Sequence, residues 1–185
     1  MANARKGENE EMTQSVRNTY TLLTTNAQPN SFWLTGFFNP NGCLTAMKQE
    51  VTRKHRSQKW ALNDVVYHTE VTNFERPEQI KAPPEEGMYI HGLSLEGGAW
   101  SIKEGNLVES APKEMFSSLP ILFVTANERR AESKALGRQL VYECPVYKYL
   151  SRTDRYFIFD AHLTVSQDRP PNHWTMRGTA LFCNT

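Results

Sequence analysis

His68 and Glu70 stand two residues apart, Asp160 and His162 repeat that spacing in the opposite order, and His91 adds a third imidazole. Residues two apart on a β-strand share a face. If both pairs point into a barrel, two imidazoles and a carboxylate form a set able to hold a divalent metal, the core of a small barrel metalloenzyme. The competing reading makes them the solvent side of half-exposed strands, alternating with Val66, Tyr67, Val71, Phe159 and Leu163. The spacing is loose and favours the second reading, so no metal ligand is assigned.

Other chemistries leave weaker traces. Cys43, Cys144 and Cys183 are widely spaced, odd in number and without CxxC spacing, which fits reduced thiols better than a disulfide framework or zinc site. Cys144, beside Pro145, and Cys183, beside Ala180, Leu181 and Phe182, read as small core residues. Cys43 opens an expected helix, where a depressed pKa and ready oxidation compete with simple packing under the turn. No GxxxxGK[ST] run occurs, so the chain lacks the recognisable loop, lysine and hydroxyl that hold a nucleotide's phosphates and magnesium. Gly92, Gly97, Gly98 and Gly105 read as conformational glycines. Arg53, Lys54, His55, Arg56 and Lys59, ahead of Trp60, form the one dense basic cluster. Cations at a helix end complement its dipole, so this reads as a solvated terminus rather than a nucleic-acid site. No catalytic, cofactor-binding or metal residue is assigned.

These residues must be positioned by an α+β domain. Phe32, Trp33, Leu34, Phe37 and Phe38 predict a buried strand, and Asn39-Pro40-Asn41-Gly42 predicts a turn that stops it. Leu44, Met47 and Val51 then recur at helical spacing, predicting an amphipathic helix to Arg56 that docks along a narrow stripe. Strands are expected at Val65–Val71, Met88–Leu95, Ile121–Thr125, Val141–Tyr149, Tyr156–Val165 and Thr175–Cys183, with a hairpin of Trp100–Ile102 and Asn106–Val108 turning at Gly105. Asn127–Gln139 is highly charged and reads as a solvated loop or a marginal helix, with the surface loop preferred. Many short strands with one packed helix predict an antiparallel sheet curled into a small barrel or roll.

The protein has 185 residues, 21 basic and 20 acidic, for a net charge of +1. That size suits one domain, and the balance favours neither nucleic acid nor an acidic membrane as partner. No apolar run approaches the roughly 18 residues of a spanning helix, and no apolar signal core opens the sequence, so an intracellular, soluble protein is expected. Residues 1–28 differ from the rest: a polar tail followed by a short helix carrying Met12, Val16, Tyr20 and Leu23.

Several longer blocks carry a family likeness. NSFWLTGFFNPNGCLTAMKQEVTRKHR at Asn30–Arg56 is followed by PPEEGMYIHGLSLEGGAW at Pro83–Trp100, LVESAPKEMFSSLPIL at Leu107–Leu122, YECPVYKY at Tyr142–Tyr149 and PPNHWTMRGTALFC at Pro170–Cys183. In this order they resemble the C-terminal domain of dynein heavy chains, most closely the axonemal outer-arm kind, over residues 29–185. Related sequences usually carry a larger apolar residue in place of Cys43. Residues 1–28 show no clear match to the helical bundle that joins this domain to the motor ring. The resemblance implies a barrel-containing, non-catalytic structural and regulatory domain that packs on an AAA+ ring and bears on ciliary or flagellar motility in the axoneme. It places ATP and magnesium in the rest of the motor and contact with microtubules at second hand. A free-standing module docking on another axonemal protein is the alternative.

Overall fold

The computed structural model describes residues 28–37, 39–137 and 139–183. The tail and short helix expected before Gln28 lie outside them. The described residues form an α+β domain of eleven strands and three α-helices. The strands are β1 (Phe32–Trp33), β2 (Val65–Val71), β3 (Met88–His91), β4 (Leu93–Glu96), β5 (Ala99–Ser101), β6 (Asn106–Val108), β7 (Phe116–Ser118), β8 (Leu122–Glu128), β9 (Val141–Tyr147), β10 (Phe157–Thr164) and β11 (Ala180–Cys183). The helices are α1 (Pro40–Lys54), α2 (Arg129–Leu136) and α3 (Pro171–Arg177).

Two sheets carry the core, in the orders β1-β3-β8-β2 and β10-β9-β11-β4-β7, with β5-β6 as a separate hairpin. Most pairs are antiparallel, but β1 runs parallel to β3 and β11 to β9. The sheets meet along two lines. On one side β3 continues into β4 through Gly92, so a single stretch of backbone serves both. On the other, β2 and β10 lie side by side without a ladder, joined by the His162 N–H donating to Thr69 Oγ1 at 2.7 Å. Of the barrel or roll expected, the structure is a two-sheet roll, kept from closing into a barrel by the β2–β10 seam.

Alternation fills the interior. Leu122, Val124 and Ala126 of β8, Leu93 and Leu95 of β4, and Tyr142, Cys144 and Val146 of β9 are buried, while the strand residues between them are half-buried or exposed. Helix α1 buries Pro40, Leu44, Met47 and Val51, the expected stripe, against β8, β2 and β10. It begins earlier than predicted. Asn39 caps it by accepting from Gly42 N–H at 3.0 Å, and Pro40 occupies its first turn, where a missing N–H costs nothing. The tetrad read as a turn is thus a helix start. The preceding strand is also shorter than expected, with Leu34–Gly36 turning into a 3₁₀ segment.

The C-terminal segment differs most. Its residue types predict one strand over Thr175–Cys183, yet α3 occupies Pro171–Arg177 and only Ala180–Cys183 is extended. Pro171 starts the helix and Gly178, at φ +65°, ends it in the left-handed conformation that glycine adopts without penalty. Trp174 is fully buried and donates Nε1–H to the Arg169 carbonyl. Glu109, after β6, holds the helix from outside through His173 and Arg177, each at 2.9 Å; the His173 hydrogen bond and then the arginines keep its carboxyl below the usual range. The β5-β6 hairpin turns as expected, Gly105 N–H donating to Ser101 O.

At the β3–β4 junction Gly92 has φ +76°, and a Cβ there would stand 2.6 Å from the Trp33 indole. Gly105 shares the positive φ, at +64°, but nothing lies within 4 Å of its Cβ position. Gly92→Ala should therefore cost about 2–3 kcal/mol of unfolding free energy, against about 1 for Gly105→Ala, measured by chemical denaturation. His91, next to Gly92 and paired with Trp33 in register, is half-buried, and its Nδ1 is sealed from solvent with no hydrogen-bond partner among the described residues. Burial lowers its pKa to about 4, opposed by Glu78. An unfolded His91 takes up a proton near pH 6.5, whereas the folded one resists until about pH 4, so stability should be full above about 6.5 and fall by about 2–3 kcal/mol as pH drops to 4. Denaturation across that range should show this loss in the parent protein and a smaller one in His91→Gln.

Candidate functional site

The most concentrated polar chemistry lies on the outside of the β2–β10 seam. Consecutive strand residues face opposite ways, so Tyr67 turns inward beneath α1 while His68 turns outward. On β10, Ala161 is fully buried in the core and His162 faces away from it. Asn127 on β8 lies two residues beyond Thr125, the register partner of His68, and so shares the outward face. Helix α2 follows directly and brings Glu132 over this face.

Glu132 is only 3% exposed. His68 Nδ1 stands 2.9 Å from each of its carboxylate oxygens, and Asn127 Nδ2 donates to Oε2 at 3.2 Å. His162 Nδ1 lies 3.8 Å from Oε1, sealed from solvent and without a hydrogen bond of its own. A buried carboxylate persists only if donors replace its lost water, and His68 and Asn127 supply them. For His68 to donate, its Nδ1 must carry the proton, which fixes the tautomer or requires the imidazolium.

The structure brings together two of the residues that spacing singled out, His68 and His162. They point away from the apolar core rather than into it, contrary to the geometry that an internal metal centre requires. Glu70 and Asp160 are exposed, and His91 sits on the β1–β3 side of the four-stranded sheet, away from the seam. The carboxylate that joins the two histidines is Glu132, in the stretch read as a solvated loop or marginal helix, of which the structure forms the helix. Its neighbours Arg129, Arg130, Ser133 and Lys134 are indeed exposed, and nothing in the sequence separates the one buried charge from them. Among the described residues, no group of three or more His, Cys, Asp or Glu side chains is arranged to hold a metal ion.

The remaining candidates take structural places. Burial raises the Cys43 thiol's pKa, contrary to the depressed value considered for a helix start. Burial likewise raises Cys144 and pushes Cys183 up to about 12; all three thiols are free. Within the basic cluster, His55 stacks on Trp60 at 4.3 Å and meets Glu86 at 2.9 Å, while Lys54 donates to the Glu85 carbonyl. Part of that cluster is thus engaged by the domain's own acidic loop. A cleft of about 290 Å³ beside the start of α2 is lined by Asp64, Glu128, Arg129 and Arg130, charges of both signs. No helix among the described residues is long and apolar enough to cross a membrane.

Comparison with known proteins supplies what the side chains do not. The family model for the C-terminal domain of the dynein heavy chain matches residues 10–183, and so begins upstream of Pro29, where the sequence motifs start. The protein is 45% identical over 172 residues to human dynein axonemal heavy chain 8, covering 88% of its own sequence and 4% of that relative. It is 42% identical over 165 residues to mouse dynein axonemal heavy chain 5, covering 89% and 3%. With the flagellar outer-arm dynein gamma chain of Chlamydomonas reinhardtii it shares 39% identity over 159 residues, covering 85% and 3%. It thus spans only a few per cent of the length of these relatives. By its motifs, its α+β fold and these matches, the protein belongs to the family of C-terminal domains of dynein heavy chains.

Proposed function

We propose that this protein is a non-catalytic structural and regulatory domain of an axonemal microtubule motor, packing on the AAA+ ring of a dynein heavy chain and influencing how ATP-driven motion is transmitted in cilia or flagella. The observation that carries this reading is family membership combined with scale: the relatives are axonemal and flagellar dynein heavy chains of which this domain is a small part. ATP and magnesium act in the rest of the motor, and the microtubule is reached only through it. The sequence supports that division, since it contains no P-loop run.

The fold suits contact rather than turnover. Its core is a cluster of buried apolar side chains, and large apolar side chains remain outside, with Met176 91%, Met115 70% and Leu150 66% exposed. Side chains of this kind serve as anchors when a partner surface covers them. Such a domain regulates a motor only if its contacts differ between ring states, which gives a coupling free energy rather than a reaction.

The test compares an axonemal heavy-chain motor with and without this domain, alongside the isolated 185-residue protein. The isolated protein should show no ATP turnover above background. The motor lacking the domain should still hydrolyse ATP, with its microtubule gliding speed or microtubule-stimulated rate changed about twofold or more. Unchanged motility and coupling after deletion would overturn the proposal, as would ATP turnover by the isolated protein.

A further inference from the structure

The β2–β10 seam is a line of weak backbone bonding. Strand β2 is laddered to β8 and β10 to β9, so each has one paired edge, and their other edges face one another. Across that line the described residues show one backbone donor satisfied by a side chain, the His162 N–H to Thr69 Oγ1. Helix α1 covers the seam from within through an apolar stripe of four buried residues. Helix α2 packs from outside on β2 and β8, beside the seam, and by different means. Arg129, Arg130, Ala131, Ser133 and Lys134 are exposed and Leu136 is half-buried, so Glu132 is its one fully buried side chain among those described. That single carboxylate meets β2 through His68 and β8 through Asn127, and approaches β10 through His162.

We infer that α2 is a detachable strap along the seam, latched by Glu132. A helix held by an apolar stripe loses its attachment gradually, but one held by a single buried carboxylate loses it in one step. When Glu132 leaves, the carboxylate regains water and the largely polar helix loses little apolar burial. The β2–β8 and β9–β10 ladders stay intact, so opening is local. It exposes the outer side of the β2–β10 line, with the His162–Thr69 hydrogen bond, to water. The strap is a property of this fold and does not depend on the motor assignment.

Residue-resolved hydrogen exchange on the folded 185-residue protein tests it. In the parent protein, the amides of α2 and the His162 amide should exchange together, faster than the ladder amides of β8 and β9. Glu132→Ala should accelerate the α2 and His162 amides about tenfold or more while leaving the β8–β9 cores within about twofold. His68→Ala, which removes a partly exposed partner, should give the same pattern more weakly and serves if Glu132→Ala fails to fold. If α2 and His162 in the parent exchange as slowly as the β8–β9 cores, or if a folded variant leaves them unchanged, the strap does not exist.

Discussion

One stretch of backbone, Met88 to Glu96, belongs to both sheets, and the rest of the fold depends on its bend. As β3 it pairs with β1 and β8; as β4 it pairs with β11 and β7. The change of sheet occurs at Gly92, where positive φ and the Trp33 indole leave no room for a side chain. Leu93 and Leu95 then enter the same core as Ile90 and Met88. This shared strand lets two small sheets enclose one interior, and a domain of this size gains its stability from such a single core.

The opposite side of the roll is built on another principle. There, side chains and helices replace the hydrogen-bond ladder that would have closed a barrel. Helix α1 seals the line from inside with Leu44, Met47 and Val51, and α2 flanks it from outside with a carboxylate. Apolar burial is non-directional and tolerates small shifts, whereas a buried charge needs every partner in place. The same seam is consequently firm on its inner face and conditional on its outer one.

Much of this is legible in the sequence. The strand Val65–Val71, the stripe of α1 and the hairpin turning at Gly105 follow from periodicity and turn chemistry and form where expected, while the strand expected over Val141–Tyr149 ends at Tyr147. The failures have local causes. Asn39-Pro40-Asn41-Gly42 is a stack of turn formers, but the same residues make a good helix cap and first turn, and tertiary packing of Leu44 selects the helix. Thr175–Cys183 looks extended until Pro171 and Gly178 are taken as the two ends of a short helix around the buried Trp174. Glu132 leaves no sequence signal because burial of a charge is decided by partners far away in sequence, here His68 and His162. The histidine spacings show which residues share a strand face, and the favoured solvent-side reading holds; that Glu132 covers part of this face they do not show.

The unity of the domain depends on its two sheets behaving as one body. The β3–Gly92–β4 strand supplies that unity, with seam opening confined to α2 and the outer side of the β2–β10 line. Equilibrium urea unfolding tests it most directly, followed by fluorescence in two variants, one retaining only Trp33, at the edge of the four-stranded sheet, and one retaining only Trp174, beneath the five-stranded sheet, each beside far-ultraviolet circular dichroism. Within each variant the tryptophan and circular dichroism curves should superimpose as one cooperative transition. A Trp33 transition clearly separated from loss of secondary structure, with Trp174 following at higher denaturant, would show two sheets unfolding independently and would contradict the account.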